Sequence, residues 1–338
     1  MSTAAVRAER RSRVAATGSR RSDIHPRFGA VAPFTVAWAG GTLAGEVLLP
    51  RGAGPHPIWL DVPSAGPATR GQCTPRWQAM APAGYAVVRW DRPGCGASTG
   101  EWTSQTIAVD RAREVLAVAG AVRTMNVIDK HCLVAAGFGE AAWAVLAAAA
   151  CDSIGPFPLL AGVVVISASM RYDDREERRL RIELPRRFGA SAADVEHAVA
   201  LFRRQLRMIR GGAPLPVVAG AGRGRAGTRG YDGRFGATAG ELDYASRNLE
   251  LDATPLLAQI HCPVLALWGT DDVYTDVERT EAGYRSGLRR RLTSHAYPGA
   301  DHRLCIRDAD AGIAATVPGM ERDVARWSRR VAPRVSLA

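Results

Sequence analysis

An apolar strand, a glycine turn and a helix of small residues follow one another near the middle of the chain. Leu133–Ala136 is the apolar run, Gly137–Ala141 (GFGEA) is the turn, and Ala142–Ala147 begins the helix. Glycine takes positive φ angles without steric cost, so this turn can be sharper than other residues would allow. Such an apolar run is typical of a strand buried in a sheet that helices cover on both faces. The segment therefore indicates an α/β fold.

Apolar runs elsewhere predict the other elements of that fold. We predict strands at Phe34–Trp38, Thr42–Leu49, Ile58–Val62, Ala86–Trp90, Cys132–Ala136, Ala161–Ser167, Val264–Trp268 and Leu292–Tyr297. We predict helices at Pro75–Ala83, Gln105–Met125, Glu140–Ala150, Val277–Leu288 and Pro318–Val331. Two strands close together in sequence precede a regular alternation of strand and helix, which indicates a mostly parallel, eight-stranded sheet.

The alternation is interrupted between residues 170 and 252. Within the interruption, Ala192–Arg210 is amphipathic and predicts a helix, whereas the glycines around 220–233 predict a mobile loop. Residues 1–30 are rich in arginine and contain few apolar side chains, which predicts a disordered tail. An organellar presequence and an over-extended start site are the alternative interpretations of that tail.

Composition narrows the class of partner. The net charge is +11, Lys130 is the only lysine, and the arginines are spread along the chain, which argues against nucleic-acid binding. No apolar run is long enough to span a bilayer, and no dinucleotide fingerprint is present. The six cysteines lack metal or redox spacing, which is typical of reduced thiols in a cytoplasmic protein. We therefore expect no cofactor, no metal and no membrane partner, and the sequence leaves the oligomeric state open.

Several segments resemble, in chain order, the motifs of the α/β-hydrolase superfamily. They are Ser64–Arg70 (SAGPATR) after an apolar strand, Asp91–Gly100 (DRPGCGASTG), the turn Gly137–Ala141, Cys262–Asp272 (CPVLALWGTDD) and Tyr297–Leu304 (YPGADHRL). The first resembles the oxyanion loop of the peptidase-like and dienelactone-hydrolase-like branch. The resemblance covers about residues 32 to 330. It implies the α/β-hydrolase fold, with a core at 31–169 and 253–335 and a lid at 170–252 inserted after the sixth strand.

The nucleophile of that family is a serine in the turn, and Gly139 occupies its position here. No residue from Cys132 to Ala150 is serine or threonine, so a shift of the alignment by one or two positions supplies none. Substitute nucleophiles are available in principle at Ser64, Cys95, Ser98 and Cys305. The resemblance further implies that Asp272 is the acid, with Asp271 as the alternative, and that His302 is the histidine.

The family stabilises its oxyanion with the backbone N–H that follows the nucleophile, here that of Glu140. A second N–H comes from the loop near Ser64 or Ala65. The resemblance also implies that Phe138 and Glu140 line the pocket. The alternative for Glu140 is a carboxylate at a helix N-terminus, favoured there by the helix dipole.

Without a serine, the His302–Asp272 pair can act as a general base on water or on an acidic proton of the substrate. We therefore expect an atypical enzyme that catalyses epimerisation, cyclisation or elimination next to the carbonyl of a small acyl or peptidyl substrate. Arg171 and Arg207 are candidates for contact with a substrate carboxylate, the alternative being that such arginines only solubilise the lid. The competing functions are weak water-mediated hydrolysis of esters or peptides and ligand binding by a non-catalytic pseudohydrolase.

Overall fold

The computed structural model of the chain describes residues 28–38, 40–72, 80–155, 158–222, 239–307 and 314–332. The main sheet of this described part has eight strands. They are β1 (Phe28–Trp38), β2 (Gly41–Pro50), β3 (His56–Asp61), β4 (Ala86–Trp90), β5 (Ile128–Phe138), β6 (Gly162–Ile166), β7 (Val264–Gly269) and β8 (Leu292–Tyr297). A short hairpin of β9 (Cys305–Arg307) and β10 (Ala314–Thr316) lies outside the main sheet.

The strands lie in the order β1-β2-β4-β3-β5-β6-β7-β8. The first two strands form an antiparallel hairpin, β2 pairs antiparallel with β4, and every later pairing is parallel. Parallel neighbours need a crossover connection, and helices provide it between most of these strands. The carboxyl ends of β5, β6, β7 and β8 consequently lie at one edge of the sheet, where the loops that follow them can meet.

Helices cover both faces of the sheet. They are α1 (Ala112–Val122), α2 (Glu140–Asp152), α3 (Asp174–Phe188), α4 (Ala192–Arg210), α5 (Leu215–Gly222), α6 (Ala239–Arg247), α7 (Ala253–Gln259), α8 (Val277–Leu288) and α9 (Met320–Val331). Successive residues of β5 show the two faces. Leu133 packs in the cluster that contains α1, α2, α7 and α8, whereas Val134 packs in the cluster that contains α9. Residues 140–150 of α2 are all buried, and their mostly alanine side chains let this helix lie close to the sheet.

The predicted strands are all present, with differences at their ends. Strand β1 begins at Phe28 instead of Phe34, because its ladder with β2 continues to the pair of Phe28 with Pro50 and the Phe28 side chain is buried. Residues 28–30, predicted as part of the tail, therefore belong to the sheet. The hairpin of β9 and β10 was not predicted, since three-residue strands are too short to show alternation.

The predicted helices agree with the structure to within a few residues where it describes them. Helix α8 has the predicted bounds, α2 extends two residues further, and α9 begins two residues later. The predicted helix at 105–125 is shorter, with a wide π-type turn at Ile107–Arg111 before α1. Most of the predicted helix at 75–83 and residues 1–27 of the predicted tail lie outside the described residues.

Between β6 and α7 the chain forms helices α3 to α6, within the predicted insertion. Helix α4 has the predicted bounds, and a Ser191–Asp194 capping box begins it. The apolar sides of the four helices pack on one another around Leu184, Phe202 and Leu242. The predicted mobile loop at 220–233 overlaps the end of α5, and residues 223–238 lie outside the described part.

Candidate active site

The turn between β5 and α2 places Gly139 in a conformation that residues with side chains rarely adopt. Gly139 has φ 57° and ψ −112°, and its N–H donates to the carbonyl of Ile166 at 2.8 Å. Gly137 is needed for another reason, because a Cβ there would collide with the backbone of Ala141. A Cβ at Gly139 would meet, among the described residues other than its chain neighbours, Nε2 of His302 at 3.6 Å and nothing closer. The turn therefore offers the imidazole an uncrowded position.

Asp272 follows the end of β7 and is buried, with no exposed surface. Its Oδ1 accepts hydrogen bonds from the backbone N–H groups of Tyr274 at 2.7 Å and Thr275 at 3.1 Å. Nε of Arg178, from α3, donates to the backbone carbonyl of Asp272 at 3.1 Å. These contacts fix the carboxylate in one orientation.

His302 follows β8, and its ring meets that carboxylate. Nδ1 lies 2.8 Å from Oδ2 and 3.0 Å from Oδ1 of Asp272. The imidazole also contacts the rings of Phe138 and Tyr274, with centroids 5.0 Å and 4.7 Å away. Ser167 Oγ donates to the His302 carbonyl at 2.8 Å. A carboxylate at Nδ1 assigns the proton to that nitrogen, which leaves Nε2 with the lone pair that accepts a proton.

A cavity of about 320 Å³ lies in front of these groups. Gly139 and His302 line it together with Ser64 and Ala65, in the loop after β3, and Glu140, the first residue of α2. The N–H groups in the first turn of a helix have no partner within the helix and form a positive end of its dipole. The cavity therefore combines a base with backbone donors that can stabilise negative charge developing on a substrate oxygen.

The Glu140 carboxylate points into a buried network that the sequence did not reveal. Its Oε1 lies 3.0 Å from Nη1 of Arg111 and 3.6 Å from Nη1 of Arg92, and it accepts a hydrogen bond from the Tyr244 hydroxyl at 2.6 Å. Arg92 and Arg111 have no exposed side-chain surface, and Glu140 has 4%. Glu140 thus lines the cavity and is also a carboxylate at the beginning of α2, as the two interpretations of this residue predicted. Its carboxylate neutralises the buried Arg92 and Arg111.

The same two arginines hold the loop after β3. Nη2 of Arg111 donates to the carbonyl of Pro63 at 2.6 Å, and Nη1 of Arg92 donates to the carbonyl of Gly66 at 2.9 Å. Ser64 and Ala65 lie between these two anchored carbonyls. The network therefore fixes this loop relative to the beginning of α2.

Tyr244 connects helix α6 of the insertion to this network. Burial, together with the adjacent Glu140 carboxylate, raises the pKa of the Tyr244 hydroxyl well above its ordinary value. The hydroxyl consequently keeps its proton and remains a donor to Glu140. Arg92 stacks on the rings of Trp102 and Tyr244, 5.2 Å and 5.7 Å from their centroids, which further joins the insertion to the core.

We expect Arg111→Met to destabilise the fold by about 3–5 kcal/mol, because it leaves Glu140 and Glu114 buried without their shared cation. Urea unfolding followed by circular dichroism measures the change. Arg113→Met is the matched control, since Arg113 lies two residues further along the chain, in the first turn of α1, and is exposed. Its effect should stay within about 0.5 kcal/mol. Equal stabilities of the two variants would contradict the structural role of the network.

The two arginines predicted to meet a substrate do not line the cavity. Arg171 pairs with Asp252 at 3.2 Å, and 56% of its side chain is exposed. Arg207 is exposed on α4. Arg175, four residues after Arg171 and in the first turn of α3, lines the cavity. A sequence pattern does not distinguish these positions, since arginines are frequent throughout the insertion.

The structure also shows where the alternative acid and the substitute nucleophiles lie relative to the cavity. Asp272 pairs with His302, whereas Asp271 is exposed and lines the cavity. Of the substitute nucleophiles, Ser64 lines the cavity, and Cys95, Ser98 and Cys305 do not. Ser98 is buried and donates to the carbonyl of Asp91 at 2.8 Å, which holds the glycine-rich loop after β4.

In the part of the chain that the structure describes, no group of three His, Cys, Asp or Glu residues is arranged to hold a metal ion. None of the helices in that part is long and apolar enough to cross a membrane.

Comparison with known proteins identifies the fold. No protein-family model matches the chain, and no curated protein matches it significantly. Among solved structures, it is similar to 2,6-dihydroxy-pseudo-oxynicotine hydrolase, with 16% identity, a TM-score of 0.58, and 90% of this chain and 68% of that one covered. It is also similar to the α/β hydrolase GrgF from Penicillium sp. sh18, with 15% identity and a TM-score of 0.57. The match covers 90% of this chain and 99% of GrgF. A third similar structure is proline iminopeptidase from Mycobacterium smegmatis, with 16% identity and a TM-score of 0.54. That match covers 89% of this chain and 99% of the iminopeptidase. The chain therefore has the α/β-hydrolase fold.

Proposed function

We propose that this protein is an enzyme whose His302–Asp272 pair acts as a general base without a covalent intermediate. Its substrate in this proposal is a small acyl or peptidyl compound. The observation that carries the proposal is the position of Nε2, which faces the uncrowded space above Gly139 while Asp272 orients the ring from the other nitrogen. A base positioned in this way can remove a proton directly from a bound molecule.

The reaction proceeds next to a carbonyl group. Nε2 of His302 takes the proton from the carbon adjacent to the carbonyl, and the C–H electron pair moves into an enolate whose negative charge lies on the carbonyl oxygen. The N–H groups at Glu140 and in the loop at Ser64 and Ala65 stabilise that charge. The imidazolium, stabilised by Asp272, then returns the proton to the carbon.

Epimerisation, elimination and cyclisation share the removal of the carbon proton. Epimerisation requires that the enolate first turn its other face to the imidazolium. In elimination the enolate electron pair expels a leaving group at the next carbon, and in cyclisation it forms a bond to an electrophilic carbon of the same molecule; the imidazolium gives its proton to the group or oxygen that receives the negative charge.

Hydrolysis by activated water is the second candidate, and the space at Gly139 favours it. With no side chain there, a water molecule can occupy the position between Nε2 and a bound ester or amide carbonyl. His302 would remove a proton from the water as it attacks the carbonyl. This route makes no acyl-enzyme and is expected to be slow compared with a serine enzyme.

In either reaction, the insertion would act as a lid over the substrate. Arg175 of α3 lines the cavity, and Tyr244 of α6 contacts the network behind it. Closing an active site excludes water and strengthens the electrostatic interactions within it. The contacts of α3 and α6 with the cavity and its network support this role.

A panel of N-acylated amino-acid esters in deuterated water tests the proposal. Proton NMR follows both the loss of the signal at the carbon next to the carbonyl and the release of alcohol. Deuterium incorporation by the wild type supports removal of the carbon proton, and alcohol release alone supports the water-mediated route. Binding of panel members without either signal would contradict the proposal and favour a pseudohydrolase.

A further inference from the structure

We propose that Arg175 binds a carboxylate on the substrate, so that the enzyme prefers acyl or peptidyl compounds with an acidic group. The inference rests on the proposed function for the reaction and adds the substrate class. Arg175 belongs to α3 and lines the same cavity as His302 and Gly139. It is half-buried, so a ligand in the cavity can reach its guanidinium.

Arg175 differs from most other arginines of α3 in its contacts. Arg178 donates to the Asp272 carbonyl, Arg179 pairs with Glu176 and Glu183, and Arg181 and Arg187 also pair with glutamates. Among the ion pairs of the described residues, Arg175 has none with a carboxylate. Its charge is therefore available to a ligand.

An aromatic contact holds the Arg175 guanidinium in place. Its Cζ lies 5.0 Å from the centroid of the Tyr274 ring, and that ring contacts the His302 imidazole at 4.7 Å. Stacking on an aromatic face leaves the N–H groups at the edge of the guanidinium free for two parallel hydrogen bonds, which match a carboxylate. The two distances together bound the separation of guanidinium and imidazole, so a short acyl chain can connect the carboxylate to the reacting carbon.

The acidic residues of the cavity do not cancel this preference. The carboxylate of Glu140 is neutralised by Arg111 and Arg92. Oδ1 of Asp301 accepts hydrogen bonds from the backbone N–H groups of Arg303 and Cys305.

Asp271, the other acidic residue of the lining, is exposed, so solvent and salt screen its repulsion of an anion.

A matched pair of anilides tests the proposal by binding alone. N-phenylsuccinamic acid carries a carboxylate at the end of its four-carbon acyl chain, and N-phenylbutanamide has the same chain without it. Isothermal titration calorimetry should show at least about tenfold tighter binding of the acid to the wild type. Arg175→Gln should remove this preference and leave the affinity for the neutral anilide unchanged.

One further variant makes the result specific. Arg186→Gln removes an exposed arginine of the same helix that does not line the cavity, and it should keep the preference. The anilides are compared by binding and need not react, so a failure of the proposed reaction would leave this result unaffected. Equal affinities in the wild type, binding of neither anilide, or a preference that persists in Arg175→Gln would overturn the assignment.

Discussion

Gly139→Ser is expected to give the protein a hydrolytic activity that the wild type lacks or shows only weakly. The Cβ position at residue 139 lies 3.6 Å from Nε2 of His302, so a hydroxyl one bond further can reach hydrogen-bonding distance. With Asp272 already at Nδ1, this completes a serine–histidine–aspartate arrangement in which the imidazole takes the serine proton. Hydrolysis of 4-nitrophenyl acetate should rise at least about 100-fold above wild type, since loss of the nucleophile costs far more than that in a serine protease.

Gly139→Ala is the control for this variant, because any side chain at residue 139 strains the backbone. A side chain at φ 57° costs about 1–3 kcal/mol whatever its chemistry, so Gly139→Ala has the same strain without a hydroxyl. A fluorophosphonate should add its mass to Gly139→Ser and leave both the wild type and Gly139→Ala unlabelled. Equal hydrolysis by the serine and alanine variants, or no labelling of the serine variant, would show that the backbone donors and the base are not arranged as described.

His302→Ala is expected to lower turnover of the wild-type reaction by about 100-fold to 10,000-fold, the range that a positioned general base contributes. The measurement is the initial rate of deuterium incorporation or alcohol release, whichever the ester panel shows. Removing the ring leaves space beside Phe138 and Tyr274, the rings that contact it in the wild type. Imidazole added to the solution should therefore restore part of the rate of the alanine variant.

Asp272→Asn tests the partner of the base. It keeps the size of the side chain but removes the negative charge that assigns the Nδ1 proton, so it should lose a comparable part of the rate. Melting temperatures of both variants establish that the fold persists. A wild-type rate in His302→Ala would remove the base from the mechanism.

The elements that meet at the site were predictable because their signals are local. The apolar strand before Gly137, the glycine turn and the aspartate after β7 each occupy consecutive positions, and a parallel sheet brings the carboxyl ends of such strands together. The pairing of His302 with Asp272, 30 positions apart, followed from the resemblance to a known fold and not from their spacing.

The network around the Glu140 carboxylate was not predictable, because its members are far apart in the sequence. Its partners are 29 positions away at Arg111 and 104 positions away at Tyr244, and an arginine-rich sequence offers many other partners for each glutamate. The sequence offered Arg171 and Arg207 as substrate contacts, whereas the arginine of the insertion that lines the cavity beside His302 is Arg175, in the first turn of α3. Which side of α3 faces the cavity depends on the packing of the insertion, which charge and spacing do not specify.

Intact-mass spectrometry of the wild type during turnover tests most directly whether the base works without a covalent intermediate. The protein is mixed with an excess of the panel ester that it consumes fastest, and the reaction is quenched in acid within the first turnovers. We expect the unmodified mass of the wild type at every time, alongside an acyl adduct on Gly139→Ser treated in the same way. An acyl adduct on the wild type would contradict the account, because it would identify a nucleophile elsewhere in the cavity and return the protein to conventional covalent hydrolysis.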